Sequence, residues 1–385
     1  MDKKICSLIK GYAEIEKEIG ILRQYGASYV SQKGVWREVV ERLHPKRLQF
    51  RVSEIRKEVD SVSTLRLVAV GRHLPPFQAG QYINVLVEID GVHTGRPYSI
   101  SSSPNQTAYY DITIKRVPNG FVSDYLLDRV QVGDILTSTG PAGHLYYNPL
   151  IHGKNLVFIA GGSGITPFMS MIREATDRSV DRQIHLLYGC RTPQEAIFHE
   201  ELTGRAKSHA NFIYDLVISE PSKDYKGLTG FMDAALIKGM GIPVESSMFY
   251  LCGPGDMYKH CIPELQKLGI PRRRIRQEVF VLGDKVCEDA AWQSDIAPDA
   301  VFSVNLSDGR KISACASESL MVAMERAGMV VENCCRSGEC SLCRMEIVSG
   351  NVFQPSCSLV RKSDRVNGYV HACSTYPLSD IEVRL

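Results

Sequence analysis

The chain has 385 residues, with 45 Lys+Arg against 43 Asp+Glu, a formal net charge of +2. That balance argues against nucleic acid as the main partner, and 44% hydrophobic with 23% charged residues excludes wholesale disorder. No apolar run nears the ~20 residues of a membrane span, and the start, Met1 to Cys6, lacks the long apolar stretch of a signal peptide. A cytoplasmic protein is therefore expected, and its 12 cysteines are expected as metal ligands or redox groups rather than a disulfide framework. At ~150 residues per domain, the length suits two to three domains.

The first 50 residues predict a helical extension. Ile5, Leu8, Tyr12, Ile15, Ile19 and Leu22 alternate at spacings of three and four. The stripe is short for a free coiled coil, so a helix packed on its own chain is expected; a docking or dimerisation arm is the alternative. Val35, Trp36, Val39, Val40 and Leu43 suggest a second short helix before His44-Pro45. Nothing in the pattern fixes an oligomeric state.

Residues 51–150 read as an all-β barrel or sandwich and are expected to form a flavin-binding barrel. Short alternating runs (Thr64–Val70, Tyr82–Glu88, Tyr109–Lys115, Ile135–Ser138) are broken by Gly, Pro, Asn and Asp. Within them stands Arg96-Pro97-Tyr98-Ser99. Arg96 offers a positive fork for a phosphate, Tyr98 an aromatic face for an isoalloxazine ring, and Ser99 a hydroxyl near its redox-active nitrogen. Gly120-Phe121-Val122-Ser123 opens a short helix, whose N-terminus favours phosphate. Gly140-Pro141-Ala142-Gly143 follows.

Residues 151–280 read as an α/β nicotinamide-binding domain. The apolar run Leu156–Ala160 suits a buried parallel strand. It leads into Gly161-Gly162-Ser163-Gly164-Ile165-Thr166-Pro167 and then a helical stretch. Strand, glycine-rich turn and helix together cradle a dinucleotide pyrophosphate, although Pro167 takes the place of the third glycine of the common fingerprint. Further strands (Ile184–Gly189, Phe212–Ser219, Met248–Leu251) alternate with helical segments near Glu195–Ala206, Met232–Lys238 and Met257–Leu268. The last strand runs into Cys252-Gly253-Pro254-Gly255-Asp256. Arg191 would attract the 2′-phosphate of NADPH, whereas Glu220 would repel it and suits the free hydroxyl of NADH; NADH is the expectation. Arg272-Arg273-Arg274-Ile275-Arg276 is a basic run, read as a surface helix start, with docking of an acidic partner as the alternative.

Residues 281–297 read as a linker, and 298–385 as a small ferredoxin-like domain. Val301–Leu306 and Lys311–Ala314 flank Asp308-Gly309 as a hairpin, and Glu318–Ala327 has a helical pattern. Cys335, Cys340 and Cys343 form C-x4-C-x2-C, and Cys373 follows after 29 intervening residues. This is the plant-type spacing for a 2Fe–2S cluster; a zinc site, the alternative, more often shows two C-x2-C pairs. Cys334 and Cys357 fall off the pattern.

In this order the motifs resemble the ferredoxin–NADP reductase superfamily joined to a C-terminal plant-type ferredoxin. Phthalate dioxygenase reductase and the phenylacetyl-CoA epoxidase reductase subunits share that arrangement. The resemblance implies a flavin at Arg96–Ser99 with its pyrophosphate at Gly120–Ser123, hence FAD, with FMN as the alternative. It implies a nicotinamide dinucleotide at Gly161, Gly162, Gly164, Thr166 and Pro167. It also implies that Cys252, Gly253, Pro254 and Asp256 lie beside that cofactor, Cys252 packing on the nicotinamide without being a nucleophile. Ser99 and Cys252 would flank the hydride-transfer position. Gln277-Glu278-Val279-Phe280 resembles the segment that ends the nicotinamide domain near the flavin. The implied activity is electron transfer from NADH through FAD and the cluster to an acceptor protein such as an oxygenase. Transfer from a reduced donor to NAD, and a redox-sensing module without turnover, are the alternatives.

Overall fold

The computed structural model describes residues 11–24, 38–280, 286–292, 295–356, 358 and 360–385. The chain divides into two units, 1–46 and 47–385. In the first, helix α1 spans Tyr12–Gln24 and a helical turn covers 38–43. No residue of α1 is buried; Ile15, Ile21 and Leu22 are each about half exposed. Glu14, Glu16, Lys17 and Glu18 interleave with the apolar positions of α1. Ile5, Leu8, Val35 and Trp36 lie outside the described residues.

Among the described residues the second unit holds three larger sheets and a two-stranded ribbon. In the first, β1 (Leu48–Val59), β2 (Val62–Ala69), β3 (Tyr82–Ile89), β4 (Val92–Ser99), β5 (Tyr110–Lys115) and β6 (Ile135–Ser138) pair antiparallel in the order β4-β3-β6-β1-β2-β5. A bridge from Ile100 to Ile112 joins the two edges and closes the barrel. β1 starts at Leu48, ahead of the expected boundary at 50/51. Its burial alternates at first, placing Leu48, Phe50 and Val52 inside. Helix α2 (Phe121–Asp128) contributes Val122 and Leu126 to the same core.

The second sheet is parallel, in the order β10-β9-β8-β7-β11-β12. Its strands are β7 (Asn155–Gly161), β8 (Gln183–Cys190), β9 (Phe212–Ile218), β10 (Leu228–Thr229), β11 (Ser247–Cys252) and β12 (Ile275–Glu278). Separate apolar clusters cover its two faces, so β7 and β11 are buried nearly throughout. Helices α3 (Ile165–Asp177), α4 (His199–Ser208), α5 (Ala234–Gly239) and α6 (Gly255–Lys267) connect the strands. The chain moves outward from β7 in one direction through β8 and in the other through β11. The ends of β7 and β11 therefore frame the crevice where open α/β sheets bind ligands.

The third sheet, in the order β14-β13-β19-β15-β17, joins β13 (Val301–Leu306), β14 (Lys311–Cys315), β15 (Arg344–Ser349), β17 (Tyr369–His371) and β19 (Ile381–Arg384). A two-stranded ribbon pairs β16 (Val352–Phe353) with β18 (Tyr376–Pro377). Helix α7 (Leu320–Arg326), capped by Ser319, packs on the sheet through Leu320, Met321, Ala323 and Met324. Helix α8 spans Lys362–Val366. The described part of the expected linker docks on this domain. Val286 and Trp292 join the cluster of Phe353, Tyr376 and Leu378, and Asp289 accepts hydrogen bonds from the backbone N–H and hydroxyl of Ser356.

Candidate functional site

Arg96, Pro97, Tyr98 and Ser99 end β4, paired with Val85, Asn84, Ile83 and Tyr82 of β3. Tyr98 packs on the barrel core and Ser99 is buried. The Arg96 guanidinium donates to Thr94 Oγ1 and to the Gly95 carbonyl, each at 2.8 Å. Burial, with the like charge of Arg336, pulls its pKa down to about 10. Gly120 caps α2 and Ser123 Oγ accepts from Val117 N at 3.3 Å, so Phe121 and Val122 lie in the first turn.

The glycine-rich turn and the cysteine turn meet at the crevice. A Cβ on Gly164 would stand 1.9 Å from the Cys252 carbonyl oxygen, so only glycine lets the two backbones approach. Gly161 similarly lies against Pro254 and Met257. Thr166 Oγ1 donates to Ser163 O at 2.7 Å, and Pro167 fits the first turn of α3. Cys252 is fully buried, and burial pushes its thiol well above the usual value, which keeps it neutral. Asp256 faces solvent at the start of α6, paired with Lys259.

Sequence reasoning missed several residues here. Lys115 ends β5 with its ammonium at the face of Gly162. Tyr258 accepts from Gly253 N at 3.0 Å and donates to the Glu278 carbonyl, stitching the cysteine turn to β12. Neither carries a motif. Glu278 pairs with Cys252 in register, is buried, and leaves Oε2 without a partner; Gln277 Oε1 is likewise unsatisfied. Such buried acceptors suit an N–H of a bound ring or carboxamide. A cleft of about 200 Å³ opens beside them, lined also by Leu145, Arg276 and Glu339. Most of the basic run is structural. Arg274 donates to the carbonyls of Val244, Glu245 and Ser247, Arg272 to Ile275 O, and Arg276 to His144 O.

At the end of β8, Arg191 Nη2 lies 2.9 Å from Glu195 Oε1, and Glu220 N bonds to the Arg191 carbonyl. Glu195 was not singled out from the sequence.

The four spaced cysteines converge. Cys335 Sγ accepts from the backbone N–H of Ser337, Glu339 and Cys340 at 3.3–3.4 Å, and Cys373 Sγ from Gly338 N at 3.2 Å. Hydrogen bonds from Cys340 and Cys373, reinforced by those N–H groups, hold the Cys335 thiol far below its usual range. The loop achieves this with three left-handed residues, Arg336, Gly338 and Ser341. Alternating handedness turns successive N–H groups inward as an anion-binding nest. Two of the three carry side chains and cost ~1–2 kcal/mol each. No three His, Cys, Asp or Glu side chains among the described residues are set to hold a single metal ion. A 2Fe–2S cluster asks for something else, two pairs of thiolates around two irons. Cys334 packs beside Tyr82, with its Sγ 3.9 Å from Thr139 Oγ1. Cys357 lies outside the described residues.

The cluster loop rests on the barrel. Tyr82, Cys334 and Cys335 form one buried group with Ala142, Phe280 and Cys340 at its margin. Asn84 Nδ2 donates to Asn333 Oδ1 at 2.8 Å and to its carbonyl at 3.0 Å. Arg336 pairs with Glu325 in a buried salt bridge and reaches Thr94 at 3.4 Å.

Among the described residues no helix is long and apolar enough to cross a membrane. Three family models match in succession: an oxidoreductase FAD-binding domain over 49–147, an oxidoreductase NAD-binding domain over 158–262, and a 2Fe-2S iron-sulfur cluster binding domain over 304–378. The glycine betaine monooxygenase reductase subunit of Chromohalobacter salexigens is 27% identical over 80% of this chain and 87% of its own. A 1,2-phenylacetyl-CoA epoxidase subunit of Escherichia coli is 28% identical over 80% and 88%. The fold matches phthalate dioxygenase reductase with a TM-score of 0.67 at 22% identity, over 88% of this chain and 98% of that one. The chain is thus a flavin/iron–sulfur oxidoreductase of the electron-transfer reductase type, with FAD-binding, NAD-binding and 2Fe–2S cluster-binding domains in that order.

Proposed function

We propose that the chain takes electrons from NADH through FAD and a 2Fe–2S cluster and passes them singly to a partner protein, an oxygenase component being the best candidate. The observation that carries this reading is convergence: the end of β4, the cysteine turn and the cluster loop all border Tyr82, Glu278 and Phe280. When bound, the flavin accepts a hydride from NADH and the cluster accepts electrons one at a time.

The chain's own residues hold and orient those groups. Arg96 and the first turn of α2 supply positive charge and free N–H groups for the flavin phosphates. Tyr98 offers its ring face and Ser99 its hydroxyl. Gly161, Gly162, Gly164, Thr166 and Pro167 seat the dinucleotide pyrophosphate, with Lys115 as a cationic neighbour. Cys252, Gly253 and Pro254 wall the nicotinamide position with neutral groups and exclude water. Cys335, Cys340, Cys343 and Cys373 hold the cluster, and the inward N–H groups stabilise its negative charge. Asp256 is exposed at the rim, which suits a contact with the outer part of the dinucleotide. Glu195 neutralises Arg191, which favours NADH over NADPH.

The test uses full-length protein loaded with flavin and cluster. NADH added without oxygen is expected to bleach the flavin bands and then the cluster bands, and to drive reduction of ferricyanide and cytochrome c. No bleaching and no reduction of either acceptor would remove the enzyme reading.

A further inference from the structure

We propose that electrons leave through a basic face built from α8 and the outer side of the cluster loop, and that the partner docking there presents an acidic surface next to its redox centre. The inference rests on the reductase reading above.

The cluster loop has two sides. The side bearing Cys335 and Cys340 is covered by Tyr82, Ala142 and Phe280 from the flavin and nicotinamide modules. That is the side on which electrons arrive. On the other side Leu342 stands 51% exposed between Ser341 and the ligand Cys343, and Arg344 follows it, also exposed. His371 ties α8 to the cluster loop, bonding to Gly338 O at 2.6 Å and to Asp364 of α8 at 3.1 Å. Arg344 also reaches Asp364, at 3.6 Å, and lies over the Tyr369 ring. Segment 361–368 thus forms a shelf fixed to the loop.

That shelf is strongly one-signed. Arg361, Lys362 and Arg365 are all exposed. The only carboxylate in 361–368 is Asp364, which is buried and occupied by Arg344 and His371. The whole ferredoxin segment 298–385, by contrast, carries 9 Lys+Arg against 10 Asp+Glu, and four of the nine, Arg344, Arg361, Lys362 and Arg365, lie at this face. Val366, 75% exposed, adds a second apolar contact to Leu342. Exposed apolar side chains ringed by charge are the anatomy of a transient interface. Complementary charge chiefly speeds encounter and fixes orientation, and it weakens with salt.

The test uses two haem proteins as probes, acidic cytochrome b5 and basic cytochrome c, with the loaded full-length protein and NADH. Wild type is expected to reduce cytochrome b5 with a kcat/KM that falls several-fold between ~20 and ~200 mM salt. In Arg361→Glu/Lys362→Glu, kcat/KM for cytochrome b5 should fall about tenfold at low salt and that for cytochrome c should rise. Cytochrome b5 binding to the immobilised protein, read by surface plasmon resonance without NADH, should weaken in parallel. Both changes place acid at the start of α8, which helices favour, and the milder Arg361→Gln/Lys362→Gln should shift the ratio the same way. Visible circular dichroism of the cluster checks that the loop is intact. Arg273→Glu, an exposed charge on the nicotinamide domain, should leave the ratio alone. An unchanged cytochrome b5 to cytochrome c ratio in the double variant, or an equal shift in Arg273→Glu, overturns the proposal. If wild type fails to reduce even ferricyanide, the reductase reading falls, while the binding measurement still decides the surface.

Discussion

On the proposed reading, single residues decide which nucleotide is used and where electrons stop. An arginine at the end of the second parallel strand ordinarily suits a 2′-phosphate, but Arg191 is held by Glu195. Glu195→Gln frees the guanidinium, and kcat/KM for NADPH should rise about tenfold with little change for NADH, given ~1.5–3 kcal/mol for a charged hydrogen bond. Binding of 2′,5′-ADP against 5′-AMP reads the same effect without turnover; equal affinities in wild type and variant would argue against it. At the cluster, Cys340→Ser should abolish cytochrome c reduction while ferricyanide reduction, which draws on the flavin, survives. Parallel loss of both would contradict the proposed order of carriers. Spacing made the cysteines legible in the sequence. The left-handed Arg336 and Ser341, and the contact of Gly164 with Cys252, are products of the folded backbone, and no residue type announces them.

At the level of elements, alternation and apolar runs were enough to place most strands of the barrel and the parallel sheet, because each strand buries one face or both. Local interruptions were not legible. The helix expected from Glu195 begins at His199, since Phe198 adopts φ +60 and breaks the turn. Helix packing also depends on ion pairs that pattern does not reveal. Glu201 on α4 accepts from Arg173 of α3 and from Arg205, while Arg173 also donates to Ser101 O in the barrel. Burial raises the Glu201 pKa, but the bonds from both arginines outweigh it and leave the carboxyl below its usual value. The unfolded chain therefore binds the proton more tightly. The stabilisation is fully present above pH ~4.5 and is lost as pH falls through that value toward the folded pKa. Glu201→Gln should cost about 1–2 kcal/mol at pH 7, less than a fully buried pair because the side chain is one-third exposed. The gap between the melting temperatures of variant and wild type should narrow below pH ~4.5; a gap independent of pH would show that the pair contributes only packing.

Across the whole of the second unit, three modules that each fold around their own core meet at one small junction. The cores were readable from the sequence module by module; the junction was not, because its members are scattered from Tyr82 to Cys340 and include ordinary polar residues. Asn84 is the clearest example. It is fully buried on β3, and its amide donates twice to Asn333, two residues before Cys335, the first cysteine of the C-x4-C-x2-C spacing. The pair ties the strand that backs Pro97 to the loop that carries Cys335. On the proposed reading, electron transfer between the two sites would depend on that register, whereas hydride transfer at the crevice between barrel and parallel sheet would not. Asn84→Ala should therefore leave NADH-driven ferricyanide reduction and the KM for NADH near wild type, and lower cytochrome c reduction about tenfold, in keeping with the sensitivity of positioned redox and reacting groups to ångström shifts. Hydrogen exchange of 330–340 should quicken, since a lost buried amide pair costs ~1–3 kcal/mol locally. Equal loss in both assays would assign Asn84 to barrel stability alone, and no loss in either would place the coupling between flavin and cluster elsewhere, with Tyr82 and Phe280 as the contacts to substitute next.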